Sequence, residues 1–209
     1  MGALDLIASK INRRDDEPNK ALAKEIILTK RKDWVKELVE NLKNKDKNIQ
    51  SDCIKVLYEI GLGGSADLIA PYYREFADLL ASKNNRLIWG AMIAIDTISF
   101  EKHNEVFSLL PQLISTIEKG SVITIDCGVG ILAKLSTFKQ YSDVTFPLLM
   151  EQLKRCPVKQ LPMYAEKTLI AANSCNTTQF VGLLEERLEE IEKDSQKTRI
   201  KKIIKQIRT

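Results

Sequence analysis

The side chains with the most to offer for recognition are two aromatics, Tyr58 and Trp89, two carboxylates, Asp96 and Asp126, and two lysines, Lys55 and Lys167. A ring beside carboxylates and ammonium groups suits a peptide or a cationic group, through cation–π and ion-pair contacts. Catalytic constellations are poorer. Cys53, Cys127, Cys156 and Cys175 form no Cys-x-x-Cys pair and His103 is the single histidine, which argues against a zinc cage. A Cys–His dyad needs His103 beside Cys127 or another thiol, and His103 falls in an expected solvated turn. The run Gly61-Leu-Gly-Gly-Ser65 lacks the Gly-Lys-Ser/Thr ending of a phosphate loop. Gly128-Val-Gly130 lacks a third glycine and the flanking strand and helix. No serine stands at nucleophile-elbow spacing. No catalytic residue, metal or cofactor is therefore expected, and the thiols read as those of a reduced, cytoplasmic protein.

Composition narrows the class. The chain has 209 residues, 44% of them hydrophobic and 29% charged, a balance that argues against wholesale disorder and is long enough for a sizeable core. The net charge of +4 is a weak basic bias; it leaves nucleic acid possible without requiring it. The N-terminal apolar stretch is short, is broken by Asp5 and precedes Arg13 and Arg14, unlike a secretory signal. No apolar run is long enough for a membrane helix. The sharpest charge contrast lies at the C-terminus. Acidic 185–192 is followed by 197–208, basic in all its charges, with Ile200, Ile203, Ile204 and Ile207 as an apolar stripe. A capping helix with a solvated basic face is the expected reading; a membrane- or nucleic-acid-facing helix is the alternative.

Repeats set the positions of these side chains. Pro71, Pro111 and Pro147 are spaced by 40 and 36 residues, and Gly182 follows 35 further on. Each precedes an amphipathic run, and proline is tolerated early in a helix, where the N–H groups are spare. Small residues recur between them: Cys53, Ala91, Gly128 and Ala165, at intervals of 38, 37 and 37. Seven residues after each stands Ile60, Ile98, Leu135 or Ala172. Short breaks separate the runs. The spacing predicts antiparallel pairs at 33–43/48–61, 66–82/86–100, 104–118/122–137, 142–155/161–174 and 177–193/195–208, after helices at 3–12 and 18–30. Segment 121–132 is β-branched with two glycines and alone suggests a strand; the repeat register makes it a helix.

The register also sorts faces. In 86–100, Ile88, Ala91, Met92, Ile95 and Ile98 are expected inside, leaving Arg86, Trp89, Ile93, Asp96 and Phe100 outside. Trp89 then corresponds to Ser51, Asp126 and Met163; Ile93 to Lys55, Gly130 and Lys167; Asp96 to Tyr58, Ala133 and Ile170. Trp89 is the candidate anchor and Asp126 the orienting charge. The alternative is a Trp89 packed between neighbouring helices and an ordinary surface Asp126.

Paired helices at a period of about 37 residues, with an early proline in the first of each pair, resemble HEAT or armadillo-type repeats over roughly residues 33–209. The resemblance implies an all-α, right-handed superhelical solenoid of about five helix pairs, a single domain over 1–209 with 1–32 as its helical cap. It also implies that the second helices line a concave face, and such a face usually binds. The expected function is a non-enzymatic scaffold taking a protein or peptide on Lys55, Tyr58, Trp89, Asp96, Asp126 and Lys167. The alternative is nucleic-acid binding: alkylpurine DNA glycosylases resemble a HEAT-like solenoid of similar size, and Trp89, Asp96 and Asp126 imitate part of their aromatic-and-Asp set. Here the charges are mixed, whereas that family's groove is strongly basic.

Overall fold

The computed structural model describes residues 2–173 and 175–208, and every regular element among them is helical. The helices are α1 (Glu17–Thr29), α2 (Lys32–Glu40), α3 (Lys47–Leu62), α4 (Ala66–Ile69), α5 (Tyr73–Leu79), α6 (Asn85–Ile98) and α7 (His103–Ser108). They continue as α8 (Leu110–Lys119), α9 (Val122–Leu135), α10 (Lys139–Arg155), α11 (Leu161–Thr168), α12 (Thr177–Leu188) and α13 (Asp194–Arg208). The β-branched segment is helix α9, as the register requires; packing has overridden its local preference.

The second helix of each early pair starts on a side chain that accepts a hydrogen bond or can do so. Asp46 Oδ1 takes the Asn48 N–H at 2.8 Å, and Asn84 Oδ1 takes the Arg86 N–H at 3.0 Å. Ser121 occupies the same place before α9. Each such cap contributes about 1 kcal/mol. The repeat reaches the helix ends as well. Ser99 and Ser136 are both buried, and each donates its hydroxyl to the carbonyl four residues back, Ile95 or Leu132, at 2.7 Å.

The first helices are more broken than the spacing predicts. The expected 66–82 is split into α4, a 3-10 turn over Ala70–Tyr72 containing Pro71, and α5; the expected 104–118 is split into α7 and α8 ahead of Pro111. Proline lacks the N–H for the carbonyl four residues back and its ring crowds that carbonyl, so the chain restarts rather than running through. Pro147, by contrast, sits inside an unbroken α10. His103 is half-buried in the first turn of α7 rather than in a solvated turn. The expected 161–174 ends as α11 plus a 3-10 turn over Leu169–Ala171; Ser174 lies outside the described residues. The expected 177–193 stops at Leu188.

Residues 1–127 and 128–209 form two compact units. In the first, Ile54, Leu57, Ile60, Phe76, Met92 and Ile95 are fully buried. Helices α3 and α6 approach closely through glycine: a Cβ on Gly61 would collide with Thr97, and one on Gly90 with Ile54. Cys53 and Ala91, the small residues picked out by the repeat, are themselves fully buried.

The N-terminal segment corrects another expectation. Instead of a helix over 3–12 there is only a 3-10 turn, Ala3–Leu6. Its backbone donors go to distant side chains: Ala3 N–H to Glu37 (2.7 Å), Ala8 N–H to Asn19 (2.9 Å) and Ser9 N–H to Asp52 (2.8 Å). With those bonds made, Ala3, Ile7 and Ala8 bury their side chains without helical pairing.

In the second unit Leu149, Leu153, Tyr164, Phe180, Leu184 and Ile200 form the core. The Arg187 guanidinium is buried and donates to the Leu153 and Cys156 carbonyls at 2.7 and 2.9 Å, satisfying the end of α10. The isoleucine stripe of α13 is buried at Ile200, Ile203 and Ile204, as a capping helix requires. Its basic face reaches back to acidic neighbours, Arg199 to Glu166 and Arg208 to Glu185.

Candidate functional site

The register-equivalent positions share an environment. Ser51, Trp89, Asp126 and Met163 are all half-buried, as are Ile93, Lys55 and Lys167 in the next row, where Gly130 is buried. In the third row Tyr58 and Asp96 are half-buried, Ala133 is buried and Ile170 is exposed.

Trp89 projects from α6 into a cleft of about 400 Å³ lined also by Ile88, Asn85, Thr116, Lys119 and Thr124. Ile88, expected in the core, is only half-buried and forms part of this wall. A second cleft, of about 550 Å³, opens where α3 and α6 begin; Lys47, Ser51, Lys83, Asn85 and Arg86 line it. A third, of about 560 Å³, lies between Arg13–Asp16 and the starts of α3 and α6, and includes Ser51, Asp52 and Arg86. Asn85 lines the first two clefts, and Ser51 and Arg86 the second and third. All three therefore lie along one side of the first unit, at the amino-terminal turns of successive second helices.

Lys55 and Tyr58 are brought together one turn beyond this row. The Lys55 ammonium lies 4.8 Å from the Tyr58 ring centroid, 2.8 Å from Glu59 Oε1 and 3.3 Å from Asp16 Oδ2. Burial alone would lower its pKa, but the hydrogen bonds to Glu59 and Tyr58 outweigh that and the net shift is upward. Burial also pushes the Tyr58 hydroxyl up, against the opposing effect of Lys55. This lysine is a committed cation, held inside its own cluster. Asp96 on α6 and Asp126 on α9 are engaged within the fold and neither lines the Trp89 cleft. Lys167 lies on α11 in the second unit and is likewise engaged.

Of the expected residues, then, Trp89 alone lines one of these three clefts. Of the cleft cations, Arg86 is expected to face outward but not to form the site, and Lys47, Lys83 and Lys119 have no expected role. A signal for two of them exists: Lys47 directly follows the cap Asp46, and Arg86 stands two residues after the cap Asn84.

Among the described residues no group of three His, Cys, Asp or Glu side chains could hold a metal ion. Cys53, Cys127 and Cys156 are buried and Cys175 exposed, all as free thiols. Burial beside Asp52 and Glu37 pushes the Cys53 thiol up to about 12, far from a reactive thiolate. No described helix is long and apolar enough to cross a membrane.

No family model and no curated protein matches the sequence. Solved structures do. A computationally designed armadillo repeat protein for modular peptide recognition is similar at a TM-score of 0.66 and 12% identity, over 88% of this chain and 85% of that one. A designed armadillo repeat protein in complex with peptide (KR)4 is similar at 0.60 and 14% identity, over 98% and 99%. An engineered protein is similar at 0.63 and 16%, over 100% and 97%. The fold is thus an all-α array of armadillo-like helical repeats.

Proposed function

We propose that this chain is a non-enzymatic binding module that receives an extended protein or peptide segment along the exposed sides of α3 and α6, with Trp89 as anchor. The observation that carries this reading is the half-buried indole in a cleft that shares Asn85 with a polar cleft beside it. A rigid aromatic flanked by polar groups is the usual anchor of a recognition surface. Asp126, expected as the orienting carboxylate, lies one repeat further on and does not line the Trp89 cleft, so the anchor carries the reading without it. Two of the similar structures accord with this, one designed for peptide recognition and one holding a peptide.

Arrays of synthetic peptides probed with purified protein test it. Trp89→Ala is expected to lose capture by about tenfold or more, the usual scale of an aromatic hot spot. Trp34→Ala is expected to retain it while folded, because Trp34 is buried under the Arg31 guanidinium, 4.3 Å from its ring centroid. Equal loss in two folded variants contradicts the assignment. The second reading, nucleic acid, draws on the cleft cations Lys47, Lys83, Arg86 and Lys119. Binding of DNA or RNA that falls steeply with salt would favour it.

A further inference from the structure

We propose that the segment received by the first unit is acidic, with a carboxylate side chain placed two residues from an apolar one; this rests on the peptide-binding reading above. The cleft at the starts of α3 and α6 is lined by three cations, Lys47, Lys83 and Arg86, and by no carboxylate. None of the three is matched by an acidic partner among the described residues. The nearest acids in sequence, Asp46 and Asp52, lie outside this lining and are held by the Asn48 N–H and by the Ser9 N–H and Asn19 amide, each at 2.8 Å; Asp52, with Asp15 and Asp16, borders Arg86 in the third cleft, on its other side. Asn84 has its Oδ1 committed to the Arg86 N–H, so its amide N–H groups are what it has left to offer. The cleft also sits at the amino ends of helices of 16 and 14 residues, whose dipoles add positive potential. The three cations, the Asn84 amide and the helix ends all favour an incoming anion on the carboxylate-free side.

The adjoining cleft supplies the second half of the motif. Arg86 and Trp89 stand three residues apart on α6, which places their Cβ atoms about 5–6 Å from one another. In an extended peptide, side chains on one face recur every second residue, at about 6.6–6.8 Å. One extended segment therefore sets a carboxylate against Arg86 and an apolar side chain against Trp89, with a single residue between. Asn85, which borders both clefts, lies where that intervening backbone passes.

The test is fluorescence anisotropy at low ionic strength with labelled peptides. One carries three copies of Glu-Gly-Leu-Gly, a second has Lys for Glu, and a third has Gly for Leu; a thymidine oligonucleotide of equal length completes the set. The Glu–Leu peptide is expected to bind at least about tenfold tighter than the Lys peptide, and more tightly than the Leu-less one. The triple variant Lys47→Glu, Lys83→Glu, Arg86→Glu is expected to invert the charge preference. Acidic residues suit the first helical turns that Lys47 and Arg86 occupy, and all three positions are exposed, so the melting temperature should hold. A control, Lys197→Glu, Lys201→Glu, Lys202→Glu, changes the net charge equally on α13 and is expected to leave the preference intact. Should the triple variant fail to fold, the peptide comparison on the unaltered protein still decides. Peptide binding without charge preference, or a preference abolished equally by the control, overturns the acidic motif and leaves the peptide-binding reading standing. Binding of the oligonucleotide alone, or of no probe, overturns both.

Discussion

The two units use arginine differently. In the second, all four are matched with carboxylates: Arg155 with Glu151, Arg187 with Glu190, Arg199 with Glu166 and Arg208 with Glu185. In the first, Arg13 and Arg31 are likewise matched, with Asp15 and Asp33, but Arg14, Arg74 and Arg86 form no such pair among the described residues; Arg14 and Arg86 line one cleft together with Asp15, Asp16 and Asp52. An exposed ion pair contributes little to stability, so energy alone does not separate the two sets. Availability does. The second unit's guanidiniums are tied to its own elements, one of them to the carbonyl end of a helix, whereas the first unit leaves Lys47, Lys83 and Arg86 without an acidic partner among the described residues, in a cleft that no carboxylate lines and that adjoins the Trp89 cleft.

The largest effect that can break this comparison is on stability. Arg187→Ala takes a charged donor from two buried carbonyls, leaving Leu153 O with the weak Cys156 thiol, and is expected to cost about 3 kcal/mol in denaturant unfolding. Arg86→Ala should stay within about 0.5 kcal/mol; a comparable cost would make Arg86 structural and end the contrast. Glycine gives the next test. Gly90→Ala forces a methyl against Ile54 and is expected to destabilise by about 1–3 kcal/mol. Gly182→Ala, on a helix with open space around the new Cβ, should stabilise by up to about 1 kcal/mol. Asp52→Ala removes an acceptor from Ser9 and Asn19; the expected cost is about 1–2 kcal/mol, with faster hydrogen exchange at the Ser9 amide.

The smallest effect is on pH dependence. The Arg31 guanidinium, by its hydrogen bond above all, lowers the Asp33 carboxyl from 3.8 to about 2. A folded pKa below the unfolded one means that its stabilisation is present above about pH 4 and disappears as pH falls toward 2. Asp33→Asn should therefore be slightly less stable than the native protein at pH 7 and indistinguishable from it near pH 2, as read by thermal melts.

Local features were the legible ones. The spacing of Cys53, Ala91, Gly128 and Ala165 located the second helices, and it overruled the strand-like chemistry of α9. The turns at 83–85 and 119–121 coincide with the starts of α6 and α9, the first of them holding the cap Asn84. What escaped depended on distant partners. The segment after Gly2 is not a helix because Glu37, Asn19 and Asp52 take its N–H groups, and no local pattern announces that. Prolines at similar spacing behave differently: Pro71 and Pro111 interrupt a first helix and Pro147 does not. The site was half legible. Trp89 stood out by type and register, but the register drew attention to the middle of the helices. There Lys55 is claimed by Glu59 and Asp16, and Asp96 is engaged. The open clefts lie at the helix starts, and which cations remain unmatched is a property of packing across repeats.

The central claim is that Trp89 is the contact point for a peptide. With Trp34→Phe, Trp89 becomes the chain's single indole, and its emission reports on the cleft alone. Titration with the Glu–Leu peptide should give a saturable blue shift as the half-buried ring is covered, and Lys47→Glu with Arg86→Glu should weaken it. An unchanged spectrum under saturating peptide, alongside salt-sensitive binding of the thymidine oligonucleotide, would contradict the account.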